Sequence, residues 1–415
     1  MFTLRCWDTT GFAEESLSIK PAPRRTKRLQ WTLVLMGSSF WSQLEKTLRR
    51  TAAEFNNLLV ITVKSLLLSL FIVCSVFGFA SVFSAQTSLA SAVNVHFVTD
   101  EAEAVLAVLG KKKTNQPITE ADWQRVFQSE GYTRLKKRET SLKRSFADAD
   151  FKTFVLSDQL AEREPALEKT LESWKHADIS GAAHLALAYL PKQARISAKI
   201  YPVIKPRSNS FVTEVKTDPA IFLYLDPAIS KEKFENTLAH ELHHIGYGSA
   251  CPSKRTSDVL AKLPQNIQTV ISLIGAFGEG FAMLAAAGGP ATHPHAVSSQ
   301  EEHARWDKDM ANFNDDLKKV EKFFLDVLAN RLTEDEMQKI GASFFGVQGP
   351  WYTVGWKMSV LIENTYGRRK LIECICDQRK LLPTYNKAAA KYNRRAHQAL
   401  ALWSEQFIDK IKHGS

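Results

Sequence analysis

Cysteine is scarce in this sequence: there are five among 415 residues, and no Cys-x-x-Cys pair. That excludes a cysteine-rich zinc site. Internal repeats and low-complexity linkers are also lacking, which excludes a solenoid or a string of beads. With 45% apolar and 24% charged residues, the chain is neither a disordered tail nor a polytopic membrane protein. No basic motif interleaved with aromatics occurs, so a nucleic-acid partner is not expected.

What is present first is charge, at a net +10. Residues 1–85 hold ten Lys/Arg against five Asp/Glu, so half of the excess lies in the first fifth of the chain. Directly after Lys64 comes Ser65–Phe83 (SLLLSLFIVCSVFGFASVF), nineteen uncharged residues and long enough to cross a bilayer. Basic residues before it and none directly after orient the N-terminus to the cytoplasm. The small residues Ser84-Ala85-Gln86 and Ala90-Ser91-Ala92 suit a signal peptidase, so a cleaved signal peptide and an uncleaved anchor both fit. Met36 offers an alternative start with a more ordinary basic segment. In either case the chain from about residue 86 is expected outside the cytoplasmic membrane, in the cell envelope, with residues 65–83 as the membrane contact if uncleaved.

The expected organisation is a basic cytoplasmic segment 1–64, a signal or anchor 65–85, a helical part 86–190 and a catalytic region 191–415. In the third of these parts, Thr119 with Asp122 three residues on marks a capped helix start. The basic run Arg134–Arg144 reads as a solvated helix face. Strand patterns occupy 198–206, 210–215 and 219–226, read as a small antiparallel sheet. Thereafter helices are expected at 231–248, 265–287, 300–330, 333–343, 350–366 and 384–412. The fold class is therefore α+β, predominantly helical. In the exported part only Cys251, Cys374 and Cys376 remain, and Cys251 is open to either of the other two.

The helix after the last strand carries Leu238-Ala239-His240-Glu241-Leu242-His243-His244. His240 and His244 lie one turn apart on one helix face, so both Nε2 atoms can reach one ion. Glu241 projects beside that face, where it can accept a proton from water rather than ligate. This is the HExxH arrangement of zinc peptidases. Tyr247 and Ala250 stand where a longer HExxHxxGxxH pattern needs Gly and His, so the third ligand lies elsewhere. Glu279 is the lone acid in an apolar stretch from Val270 to Gly289, and a metal would relieve the cost of burying it. The predicted centre is one Zn2+ on His240, His244 and Glu279. Tyr352, His293 and His295 are candidates for stabilising an oxyanion, and His243 points away from the pair, toward a contact that supports the metal ligands or toward the surface. Should the strand 219–226 be an edge, it would take an extended peptide.

The segment His240–Tyr247 followed by Gly278-Glu279-Gly280 resembles the gluzincin class of metallopeptidases. More narrowly, the chain is similar to an uncharacterised bacterial family of zinc-dependent peptidases over about residues 95–390. Also similar are Ile204-Lys205-Pro206, Asn209-Ser210-Phe211, Asp218–Asp226 and Gly349–Met358. The resemblance implies a zincin-like pair of active-site helices packed on the sheet and a peptide or protein substrate. One departure is Met283, which stands where the best-known gluzincins place an Asp that supports the metal ligands. The expected chemistry is peptide hydrolysis by zinc-activated water with Glu241 as general base. The competing expectation is a non-catalytic, membrane-tethered envelope protein whose metal site is structural or vestigial.

Overall fold

The structure, a computed structural model, describes residues 92–413 apart from 216. The segment 1–64 and the apolar segment 65–85 lie outside the described residues. Strand β1 (Val93–Phe97) opens the described residues, and helices α1 (Asp100–Lys113), α2 (Glu120–Gln128), α3 (Glu130–Ser141), α4 (Asp148–Val155), α5 (Asp158–Lys175) and α6 (Ile179–Leu187) follow. Helix α2 starts where Thr119 predicts, with Asp122 accepting from the Thr119 backbone N–H at 2.8 Å. The basic run on α3 is an ion-paired face. Arg134 meets Glu214 (2.6 Å) and Asp218 (2.9 Å), Lys137 meets Glu214 (2.6 Å), and Lys136 meets Asp148 (2.6 Å).

The chain then enters β2 (Ile196–Val203), β3 (Phe211–Thr213) and β4 (Ala220–Tyr224). The sheet order is β1-β2-β4-β3, with β1, β2 and β4 parallel and only β3 antiparallel, against β4. The expectation of an antiparallel sheet is therefore corrected to a mixed one. The physical reason lies in the connections: a parallel pair needs a long crossover, and the helices α1–α6 between β1 and β2 supply one. Strand β4 also lies inside the sheet, between β2 and β3, so its edge is not open to a peptide. Both faces of these strands are covered, which accounts for the continuous apolar run of β4. Ile200, Ile221 and Leu223 join Leu238 and Leu242 in one core, whereas Tyr201, Phe211 and Phe222 stack with Leu135 in another. At the end of β2, the buried Lys205 donates to Asn209 Oδ1 at 2.6 Å, and Glu101 accepts from Ile204 N–H at 3.0 Å.

Helix α7 (Lys231–Ala250) follows β4, its N-terminus capped by Ser230. Phe234, Leu238, Leu242 and Ile245 form its buried stripe toward the sheet layer, with His240 and His244 outside that stripe. Then come α8 (Lys254–Leu260), α9 (Gln265–Ile274), a 3-10 turn at Gly275–Phe277, and α10 (Gly278–Ala286). The stretch 265–286 is long and apolar enough to cross a membrane, but it is largely buried in a third core, with Leu317, Phe324, Trp351 and Met358. Helices α11 (Gln300–Ala311), α12 (Phe313–Leu328), α13 (Glu334–Ser343), α14 (Pro350–Tyr366), α15 (Arg368–Cys376), α16 (Leu381–Asn393) and α17 (Glu405–His413) complete the chain. The helix expected at 384–412 is two helices. Between them Asn314, Asn386 and Asn393 side chains hold the backbone of 399–403, which lets Trp403 enter the core beside Phe277 and Phe324. A disulfide joins Cys251 to Cys376, leaving Cys374 a buried thiol.

Helices α10 and α14 cross at two glycines. A Cβ on Gly280 would lie 2.1 Å from the Trp356 nitrogen and 2.3 Å from the Tyr352 carbonyl oxygen, and one on Gly355 would lie 2.5 Å from the Phe277 oxygen. These are backbone atoms, which cannot move aside. Gly280→Ala is therefore expected to destabilise the protein by about 3 kcal/mol in urea denaturation. Gly110→Ala, on α1 with open space around it, should gain up to ~1 kcal/mol instead.

A second expectation concerns pH. Burial pushes Glu101 from 4.5 up to about 8, the hydrogen bond from Ile204 notwithstanding. The folded state then keeps a proton that the unfolded state releases. This group favours folding least above pH 8, and its contribution falls as pH rises from about 4.5, by on the order of 5 kcal/mol in all. Glu101→Gln should abolish that component, so its stability relative to wild type should grow between pH 5 and pH 8.

Candidate metal centre

Three elements build the centre. Helix α7 presents His240 and His244 one turn apart, and α10 presents Glu279 in its first turn, just after the 3-10 break. Helix α14 brings Tyr352 alongside through the glycine crossing. His240 Nε2 lies 3.1 Å from Glu279 Oε2, His244 Nε2 lies 3.1 Å from His240 Nε2, and His244 Nε2 lies 3.4 Å from Glu279 Oε2. The three ligand atoms thus form a nearly equilateral triangle. Donors at 2.0–2.1 Å from a tetrahedral zinc are separated by about 3.3–3.4 Å, so the triangle has the size of one face of that shell. Hydrogen bonding alone serves this cluster poorly, because a carboxylate cannot donate and two facing Nε2 atoms share one proton at most. The residues present fit a zinc ion.

In the metal-free cluster two histidines stand against two carboxylates, Glu279 and Glu241. Burial opposes ionisation of Glu279, but the charges and hydrogen bonds of His244 and His240 hold its carboxyl well below the usual range. Burial also opposes charging of His244, and Glu279 followed by Glu241 overcomes it, raising His244 to about 9. Glu241 is pushed up from the ordinary carboxylate value, first by burial, with His240 and His244 opposing and the Glu279 charge adding to the rise. His243, expected to point away, is buried and stacks on Phe281 at 5.5 Å. Burial, then the charges of His244 and His240, lower it well below the usual histidine value.

The Tyr352 ring lies nearly parallel to the His240 ring, 6.4 Å between centroids. The structure does not bring His293 and His295 into the triangle. His293 pairs with Asp307 at 3.2 Å and stacks on His303, while His295 is buried against Ser298 and Gln348, both at 3.1 Å. Burial, followed by Lys233, pushes His295 down to about 4. His293, His303 and Asp307 are close enough together to suggest a second ion. However, His293 Nδ1 accepts the His295 backbone N–H at 3.0 Å, so its proton sits on Nε2 and faces Asp307. The group is a hydrogen-bonded cluster.

Two residues here, Ser359 and Gln378, had not been singled out. An enclosed cavity of about 30 Å³, room for a water or two, adjoins His244 and Glu279 and is lined also by Tyr247, Ser359 and Gln378. Gln378 Nε2 donates to the Tyr247 hydroxyl at 2.7 Å. With Met283 in place of a supporting Asp, these neutral groups are the polar surroundings on that side of His244. The Cys251–Cys376 disulfide ties the end of α7 to a point two residues before Gln378, and the sequence, which leaves the partner of Cys251 open, carries no signal for it.

Residues 95–394 match the family described as "Putative zinc dependent peptidase (DUF5700)". The chain belongs to this family. Neither a curated protein nor a solved structure matches the chain. The family description, over residues 95–394, and the triangle of donors both point to zinc.

His240→Ala, His244→Ala and Glu279→Ala should each lose the zinc that the wild-type protein retains after dialysis, measured by elemental analysis. His293→Ala and His303→Ala should keep it.

Proposed function

We propose that this member of the zinc-dependent peptidase family hydrolyses peptide bonds on the extracytoplasmic side of the membrane. One zinc ion would be held by His240, His244 and Glu279, with Glu241 as general base. The observation that carries the reading is the convergence of the three ligand atoms at zinc-shell spacing, with Glu241, a second and non-ligating carboxylate, on the helix of the two histidines. Zinc, when bound, supplies a Lewis acid that lowers the pKa of water from 15.7 toward 7 and polarises a carbonyl.

The protein's own residues do the rest. Glu241, with its affinity for protons raised by burial, takes one proton from the attacking water on a carboxylate oxygen and passes it to the leaving amine. His240 and His244 keep their Nε2 atoms directed inward because α7 fixes their spacing. The Tyr352 phenol, packed beside His240, is the proposed donor to the developing oxyanion. The pairing of Gln348 with His295 leaves those two groups to hold the loops around residues 295 and 348 together.

The extracytoplasmic location is supported by the basic segment ahead of Ser65–Phe83 and by the Cys251–Cys376 disulfide, a bond that persists in oxidising compartments. Residues 65–83 anchor the chain in the membrane in this reading.

Glu241→Gln tests the mechanism. The variant should keep its zinc and lose peptide cleavage by at least about a hundredfold, the scale of general-base catalysis. Cleavage that survives in Glu241→Gln would overturn the assignment of the base. A zinc-loaded wild type inactive on a broad peptide library would favour a structural metal.

A further inference from the structure

The distribution of charge in the folded body shows a surface that the peptidase site does not use. Residues 366–415 hold eleven Lys/Arg against four Asp/Glu, whereas residues 86–365 hold 33 against 35. All of the positive excess beyond the apolar segment therefore lies in the last fifty residues. Within them, Gln378–Ser404 has six Lys/Arg and no acid at all.

The fold gathers this charge on one helix face. Helix α16 buries Leu381, Leu382, Tyr385, Ala388 and Ala389 in the core. Lys387, Lys391 and Arg394 follow one another at spacings of four and three, so they line a single outward stripe, and Arg395 adjoins its end. All four are exposed. Lys391 lies over the Tyr366 ring at 4.5 Å, which sets the corner bearing the exposed Arg369 beside the stripe. Tyr392, next along the helix, is 46% exposed. Contrast the other basic helix, α3, where Lys136, Lys137 and Arg134 all meet carboxylates. Among the described residues, Lys387, Arg394 and Arg395 have no ion pair.

We propose that the α16 face docks on anionic phospholipid headgroups, as a second, electrostatic contact with the membrane. Unpaired cations in one stripe match a plane of phosphates, and each Lys or Arg near such a surface adds to attraction that salt screens. An exposed tyrosine beside the stripe suits the headgroup region, which favours amphipathic aromatic rings. The tether makes the encounter local. Only nine residues, 84–92, separate the apolar run from β1, and fully extended they span about 30 Å. Export leaves nucleic acid the less fitting polyanion. The inference rests on the membrane-anchored reading above, but not on zinc or catalysis.

The test uses the full chain reconstituted into phosphatidylcholine vesicles with or without phosphatidylglycerol. A membrane-permeant acetylating reagent reports on Lys387 and Lys391, with the exposed Lys169 of α5 as internal control. Acetylation of Lys387 and Lys391 should slow by about tenfold in the phosphatidylglycerol vesicles, recover in high salt, and leave Lys169 unchanged. Equal rates in the two vesicles would overturn the proposal. So would protection by a DNA oligonucleotide but not by phosphatidylglycerol. If plain phosphatidylcholine fails to retain the chain, the anchor reading falls and co-flotation decides the face. Binding to phosphatidylglycerol vesicles that is lost in the combined K387Q/K391Q/R394Q/R395Q variant supports it, and no binding overturns it.

Discussion

Glu279 is a carboxylate only 6% exposed, on a helix otherwise made of Gly, Phe, Ala, Met and Leu. An ion in such a place must be met by opposite charge or by a metal, and the surrounding architecture is arranged around that need. The 3-10 turn at Gly275–Phe277 sets the start of α10 so that Glu279 faces α7. The paired glycines 280 and 355 let α14 approach to backbone contact, which closes the centre from the other side and places Tyr352 over His240. Helix α7 in turn takes its position from the sheet, through Leu238 and Leu242 against Ile221 and Leu223. Remove the carboxylate, and two imidazoles 3.1 Å apart would keep only Glu241 of the two acids beside them.

The parts of this centre that were legible in the sequence share one property: they depend on local spacing or on an unusual residue in a plain background. His240 and His244 are fixed by the helical repeat. Glu279 stands out because nothing else in its stretch is charged. Helix starts such as Thr119 and Pro350 carry their own chemistry, and both begin helices where expected. The predominantly helical α+β class follows from the same periodicities. What was not legible depends on contacts between distant segments. Strand patterns do not state direction, so the mixed sheet awaited the crossover through α1–α6. A run of helical periodicity over 384–412 hides the break at which Trp403 turns into the core. Cys374 and Cys376 have equal claims in sequence, and only the placement of α15 chooses Cys376. His293 and His295 carry suggestive chemistry, yet their neighbours Asp307, Ser298 and Gln348 employ them in holding loops.

Two features of the chain lie outside the centre and bear on where it works. The disulfide closes a span of 125 residues and connects the metal helix to the wall that bears Gln378. The basic face of α16 lies on the last part of the fold, while the remainder of the folded body is nearly balanced in charge. Both fit the proposed place of the chain at the outer surface of a membrane, where thiols oxidise and phosphates are abundant.

The measurement that tests the central claim most directly is X-ray absorption at the zinc edge on the metal-loaded full chain. The account predicts a four-coordinate shell of nitrogen and oxygen at about 2.0–2.1 Å, with outer-shell scattering from two imidazoles and no sulfur. A sulfur shell near 2.3 Å, or scattering from three or more imidazoles, would contradict it.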